Sequence, residues 1–169
     1  MGQDRKARPV REMRLILRRS LAAAIYVGAA AMLTSLSGAP ATAMTFASTS
    51  VLLATLPGTD AAKPRAVIGG HSLAAVSGWL VGLLLGPSGY AACLAVGLAA
   101  LAMQSTRTLH PPAAVSGYLM LNQSGHWTWL FAPIVLGAVA LSALAYLLDR
   151  VGLTSPPAEN AKSVISQNF

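Results

Sequence analysis

The stretch Arg5–Leu36, RKARPVREMRLILRRSLAAAIYVGAAAMLTSL, divides at Ser20. Arg5, Lys6, Arg8, Arg11, Arg14, Arg18 and Arg19 lie before that point, and the run from Leu21 to Leu36 has no charged residue. A basic flank on a long apolar run reads as a membrane helix whose start faces the cytoplasm, because Lys and Arg are retained on the inner side. An arm of this kind can also bind nucleic acid. Here no aromatics are interleaved with the cations, and no nucleic-acid partner is expected. The arm, the run and Ala41-Thr42-Ala43 imitate the three parts of a signal peptide. An uncleaved first span is expected instead, because it completes the repeat described below.

Working outward, the rest of the chain is equally poor in charge. Charged residues make up 10% of the sequence against about 25% in a soluble domain, and hydrophobic residues reach 54%. The mean hydropathy is +0.59. The net charge of +7 belongs mostly to the N-terminal arm. Six apolar segments follow, at about 20–37, 41–57, 67–86, 89–104, 111–122 and 127–148. Turn and helix-start residues separate them: Gly38-Ala39-Pro40, Pro57-Gly58, Gly86-Pro87-Ser88-Gly89, His110-Pro111-Pro112 and Asn122-Gln123-Ser124-Gly125. Trp127 and Trp129 stand where an interfacial aromatic belt would put them.

The expected fold is therefore all-α, a polytopic transmembrane bundle of about six segments. Segments two and five are short or broken. Residues 1–19 form a basic cytoplasmic arm, 20–149 the transmembrane domain, and 150–169 a polar tail expected to be disordered and to carry no nucleotide-binding domain. Six crossings put Lys63, Arg65, Arg107, Arg150 and Lys162 on the side of the arm and leave the outer loops without Lys or Arg. Four spans with two re-entrant loops would put Lys63, Arg65 and Arg107 outside. The expected location is the plasma membrane, a bacterial inner membrane, with both termini cytoplasmic.

Two patterns predict how the segments pack. Gly70, Ala74, Gly78, Gly82 and Gly86 recur every four residues, as do Ala91, Ala95 and Ala99, so segments three and four are expected to meet through small-residue stripes. Each half of the chain also reads long span, Pro-initiated short segment, long span. Ala39-Pro40-Ala41 leads the second segment and Pro111-Pro112-Ala113 the fifth. With three crossings per half, the second half would be an inverted copy of the first, a 3+3 repeat.

The stretch Ser105–Pro112 carries the main chemical signal. Proline favours the first helical position, so segment five should start at Pro111, its N–H groups and positive dipole end accompanied by Arg107 and His110. That is an anion site in outline, involving Arg107, His110, Pro111, Pro112 and Ala113. Arg107 could equally snorkel to headgroups, and His110 could simply cap the helix. Thr42, Thr45 and Thr49 share one face of segment two and could line a polar path, although Ser and Thr in membrane helices commonly bond to their own preceding turn. Lys63, Arg65 and His71 form a second polar cluster, a candidate entrance for anions or a headgroup anchor.

The acids decide against catalysis. Asp4, Glu12, Asp60, Asp149 and Glu159 all lie in flanks or loops, so no carboxylate pair or Ser/His/Asp triad can be built within the apolar segments. Cys93 is the single cysteine, which excludes a disulfide framework and a multi-cysteine metal site. No enzyme activity, metal or cofactor is expected.

Three blocks in this order resemble the HPP family of membrane proteins, named for its His-Pro-Pro motif. They are Ala47-Ser48 with Val51-Leu52-Leu53, Pro64-Arg65 with Gly69-Gly70-His71, and Arg107–Ala113, within about residues 18–150. The resemblance implies a multi-span helical protein, and because relatives are associated with nitrite transport it implies a transporter or channel for a small monovalent anion. Two positions depart from the family pattern: Ala113-Ala114-Val115 replaces a common glycine after the motif, and Gly38-Ala39-Pro40-Ala41 replaces a Pro-Phe-Gly approach to the second segment. The rival reading is a non-transporting scaffold or sensor subunit. The expected partners are the lipid bilayer, a small inorganic anion and other copies of the chain in a homo-oligomer.

Overall fold

The computed structural model describes the backbone of residues 3–123 and 127–154 and the side chains of 10–123 and 129–154. The Ser124-Gly125 turn, the Trp127 side chain, the side chains of Arg5, Lys6 and Arg8, and the tail from residue 155, including Glu159 and Lys162, lie outside the described residues. Among the described residues the chain forms six helices: α1 (Gln3–Leu36), α2 (Ala43–Thr55), α3 (Pro64–Leu85), α4 (Gly89–Ser105), α5 (Ala114–Asn122) and α6 (Trp127–Arg150). Short 3-10 turns, Pro40–Thr42, Asp60–Ala62 and Pro111–Ala113, lead into α2, α3 and α5. No strand occurs among the described residues. The protein is an all-α bundle of the membrane type.

The basic arm is not separate from the first apolar segment. Both belong to one helix of 34 residues, because Arg, Lys, Glu, Met and Leu are good helix formers and nothing between Arg11 and Leu36 ends it. Among the described residues, three stretches are long and apolar enough to cross a bilayer: Val10–Leu36, Pro64–Leu85 and Trp129–Arg150. The 17 residues of α4 are apolar but shorter. At about 1.5 Å per residue, α5 and its lead-in turn extend roughly 20 Å, well short of a hydrocarbon core of about 30 Å.

Helix directions alternate. α1 and α6 are antiparallel: Gly38, just after α1, meets the Trp129 ring near the start of α6, while Arg19 Nε donates to the Thr154 carbonyl beyond its end (3.3 Å). α3 and α5 are parallel, with Gly70 beside His110, Ala74 and Gly78 beside Gly117, and Val81 beside Leu121. α4 returns against both. Ala99 and Met103 pack with Ala74 and Ala113, and Ala91 and Ala95 pack with Val81 and Leu121. On the other side, α6 packs against α1, α2 and α3.

The small-residue stripe of α3 has a different main partner from the expected one. Its tightest contact is with α5, where a Cβ on Gly78 would overlap the Gly117 carbonyl, and one on Gly117 would lie 2.9 Å from the Ala74 carbonyl oxygen. The alanines of α4 also pack on α3 and α5. Small residues predict close approach, and the partner is chosen by the whole bundle rather than by sequence order.

Candidate functional site

Four buried polar residues, Thr49, His71, His110 and Ser116, converge where α2, α3 and the start of α5 meet. Each arrives there for a local reason. Pro64 opens α3 after the extended Lys63, and this places His71 two turns into the helix. α4 ends in a Schellman turn: Thr108 N–H donates to the Met103 carbonyl (2.8 Å) and Arg107 N–H to the Gln104 carbonyl (3.1 Å). The left-handed residue of that turn is Arg107, with φ 55°, where glycine is usual. The chain then runs extended through His110, as the residue before a proline must, and Pro111 starts the next turn.

The Gly69-Gly70-His71 stretch allows the loop to settle on α3. A Cβ on Gly69 would lie 2.9 Å from Thr108 Cγ2, and one on Gly70 would lie 2.7 Å from His110 Cβ. Two glycines thus bring His110 down beside His71, with ring centroids 5.2 Å apart.

Thr49 joins the two rings. Its hydroxyl lies 3.0 Å from His71 Nε2 and 3.0 Å from His110 Nε2. His71 Nδ1 is 2.7 Å from the Ser116 hydroxyl, and His110 Nδ1 donates to the Ala61 carbonyl at 2.7 Å. Thr49, His71, His110 and Ser116 are each 0% exposed. Phe46 closes one side, its ring 5.0 Å from that of His71. Buried polar groups are tolerated only when hydrogen-bonded, and this cluster satisfies both nitrogens of both rings.

The other candidate residues are arranged around this centre with less involvement. Thr42 and Thr45 are also fully buried, but their hydroxyls turn back to the Ala39 and Thr42 carbonyls, 2.7 Å each. Of the three threonines on that face, Thr49 alone reaches across to other helices. Lys63 pairs with Asp60 at 2.6 Å on the surface, and the hydrogen bond from its ammonium holds the Asp60 carboxyl below its usual range. Arg65 Nη2 donates to the Arg107 carbonyl at 2.6 Å, tying the start of α3 to the loop after α4, and the Arg107 side chain itself is exposed.

The expectation of unpaired N–H groups at the start of segment five is corrected. Pro111 and Pro112 have no N–H, and the N–H of Ala113 donates to the His110 carbonyl at 3.0 Å. The doubled proline that marks the helix start also removes the donors an anion cradle would use. The reading of the sequence also missed Ser116 and the Ala61 carbonyl. Ser116 lies one turn beyond the Pro111–Ala113 lead-in, a hydroxyl in a short apolar helix and so a visible signal; a backbone carbonyl gives none.

Comparison with known proteins agrees with this architecture. The model of the family described as HPP, transmembrane region, matches residues 8–156. Two transmembrane proteins of Dictyostelium discoideum are similar over 112 residues, 62% of this chain, one at 30% identity and the other at 26%. The match covers 39% and 36% of those proteins, so the chain spans well under half the length of the curated relatives it matches. No solved structure is significantly similar to it. With the family model covering nearly the whole chain, the protein is an integral membrane protein belonging to the HPP transmembrane family.

Proposed function

We propose that the protein is a permease for a small monovalent anion of the nitrite kind, working in the plasma membrane with both termini cytoplasmic and performing no catalysis. The observation that carries this reading is the Thr49–His71–His110 cluster, a fully buried polar centre inside an apolar bundle. Ionisable side chains are expensive inside a membrane and mark solute paths there. Arg65 at the start of α3 and the Arg107 loop joined to it lie at the same end of the bundle as His110, where they would gather anions, and donors of the centre, once turned from their partners within the chain, would replace part of the anion's hydration.

The packing also supports an inverted repeat. Exchanging α1, α2 and α3 for α4, α5 and α6 turns the contacts of α3 with α4 and α5 into those of α6 with α1 and α2. The tightest contact of each short helix follows the same rule. Phe46 and Gly117, each the sixth residue after its opening proline, press against Gly137 of α6 and Gly78 of α3. Transporters use such repeats to open a central site to each side in turn.

Nitrite uptake into liposomes containing the purified protein tests the reading. Uptake above protein-free vesicles, lost in an Arg107→Gln/His110→Gln variant that remains folded and inserted, supports it; no uptake by inserted wild-type protein rejects nitrite as cargo. One observation favours the scaffold or sensor reading: the polar centre is saturated by bonds within the chain, as a purely structural clasp would be. That reading expects no flux and a stable partner in co-purification from the native membrane.

A further inference from the structure

We propose that Ser116, His71, Thr49 and His110 form an oriented proton relay, and that the cargo moves together with a proton; this rests on the permease reading above. The direction of the relay follows from its one unambiguous end. A carbonyl only accepts, so the His110 hydrogen is on Nδ1, facing Ala61. In the neutral ring Nε2 is then an acceptor, and the Thr49 hydroxyl must donate to it. A hydroxyl has one hydrogen, so Thr49 Oγ1 accepts from His71, whose hydrogen is therefore on Nε2. His71 Nδ1 is left as an acceptor and takes the Ser116 hydrogen. All four bonds point the same way, from Ser116 in α5 to the half-buried Ala61 in the loop before α3.

A chain of this kind passes a proton without moving any heavy atom far. A proton delivered to Ser116 Oγ releases that residue's own hydrogen to His71 Nδ1. The hydrogen on His71 Nε2 passes to Thr49 Oγ1, the Thr49 hydrogen passes to His110 Nε2, and the hydrogen on His110 Nδ1 leaves to water at the half-buried Ala61 loop. Each group gains one hydrogen and loses one, and all four end neutral. The polarity of the chain is then reversed, with the His71 hydrogen on Nδ1 and the His110 hydrogen on Nε2; the hydroxyls reset by turning, and each ring resets by gaining a proton on its bare nitrogen and losing the other to water.

The surroundings isolate the path. α2 brings Phe46 against His71, and Met103 of α4 lies beside Gly70 next to His110; neither titrates. Among the described residues, the charged or titratable side chains toward this end are Arg11, Glu12, Arg14, Arg18, Arg19 and Tyr26 of α1, Asp60 and Lys63 of the loop, Arg65 of α3, Arg107, and Tyr146, Asp149 and Arg150 of α6. Of these, Arg19 donates to the Thr154 carbonyl, Lys63 pairs with Asp60, Arg65 donates to the Arg107 carbonyl and Arg150 to the Tyr146 hydroxyl, all outside the relay. Tyr90 and Cys93 lie near the opposite end, at the start of α4, and the exposed Tyr118 lies on α5.

The test is internal pH in liposomes loaded with a pH-sensitive dye, with the membrane potential clamped and a nitrite gradient imposed, after subtraction of protein-free vesicles. The expected result is internal acidification that tracks nitrite uptake about one to one. Thr49→Ser should retain it, and Thr49→Val and His71→Gln should reduce proton movement at least tenfold. Nitrite uptake without acidification would overturn the relay and leave the permease reading standing, as would acidification equal in Thr49→Val and wild type. If nitrite does not enter, a pH gradient alone is imposed. Proton flux lost in Thr49→Val then supports the relay while nitrite fails as cargo, and no proton flux overturns the relay as well.

Discussion

His71 and His110 direct the same ring nitrogen at one hydroxyl, the Oγ1 of Thr49 lying 3.0 Å from each Nε2. The Ala61 carbonyl holds the hydrogen of neutral His110 on Nδ1, so the Thr49 hydroxyl donates to His110 Nε2 and, having a single hydrogen, accepts from His71. Three elements that are distant in sequence, α2, α3 and the start of α5, are thus tied through one atom.

Thr49→Val keeps the shape of the side chain and removes that atom. Two buried ring nitrogens lose their partner, at about 1–3 kcal/mol each by the behaviour of unsatisfied buried groups. The thermal midpoint in detergent should fall clearly, and Thr49→Ser should restore most of it. Equal midpoints for wild type and Thr49→Val would mean that the bonds do not hold the bundle together.

Gly78→Ala should be among the most damaging single changes, because its methyl would be driven into the Gly117 carbonyl. A cost of roughly 3 kcal/mol is expected from overpacking of this severity. Gly97→Ala in α4 is the control: nothing lies within 4 Å of the added atom, and alanine is the better helix former by about 1 kcal/mol. Folded yield and melting temperature should drop for the first substitution and hold or rise for the second.

Arg107→Gly separates stability from function. Glycine adopts φ 55° without the cost of about 1–2 kcal/mol that a side chain incurs, and it keeps the carbonyl that Arg65 uses. The variant should melt at or above wild type yet take up anion more slowly, most visibly at low anion concentration. A variant that is more stable and equally active would remove Arg107 from the transport path.

Alternation of the helices predicts the sidedness of the loops. In a Cys93→Ser background, Thr59→Cys and Ser105→Cys should react with a membrane-impermeant maleimide from one face, and Ser37→Cys and Pro87→Cys from the other. Labelling of Thr59→Cys and Ser37→Cys from the same face would contradict a crossing α2.

Much of this arrangement was legible in the sequence, and what was missed has physical causes. Hydropathy and turn residues located all six helices, and Pro40 and Pro111 marked the two short ones, because local rules govern both signals. His71, His110 and Thr49 were recognisable as polar residues in apolar segments. That Thr49 joins the two rings was not, since the contact spans 61 residues to His110 and depends on Gly69 and Gly70 admitting the loop. The stripe of α3 announced close packing but not its partner, Gly117. The doubled proline was read as a source of free N–H groups, although proline contributes none. The arm before Ser20 was read by its charge, and charge does not end a helix built from good helix formers.

The most direct test of the central claim, an oriented chain of buried hydrogen bonds through Thr49, is nitrogen-15 NMR of histidine-labelled protein in lipid, with His126→Asn simplifying the spectrum. Two neutral rings of opposite tautomer are expected, His110 with its proton on Nδ1 and His71 with its proton on Nε2. A proton on Nε2 of neutral His110, or the same tautomer for both rings, would contradict the account.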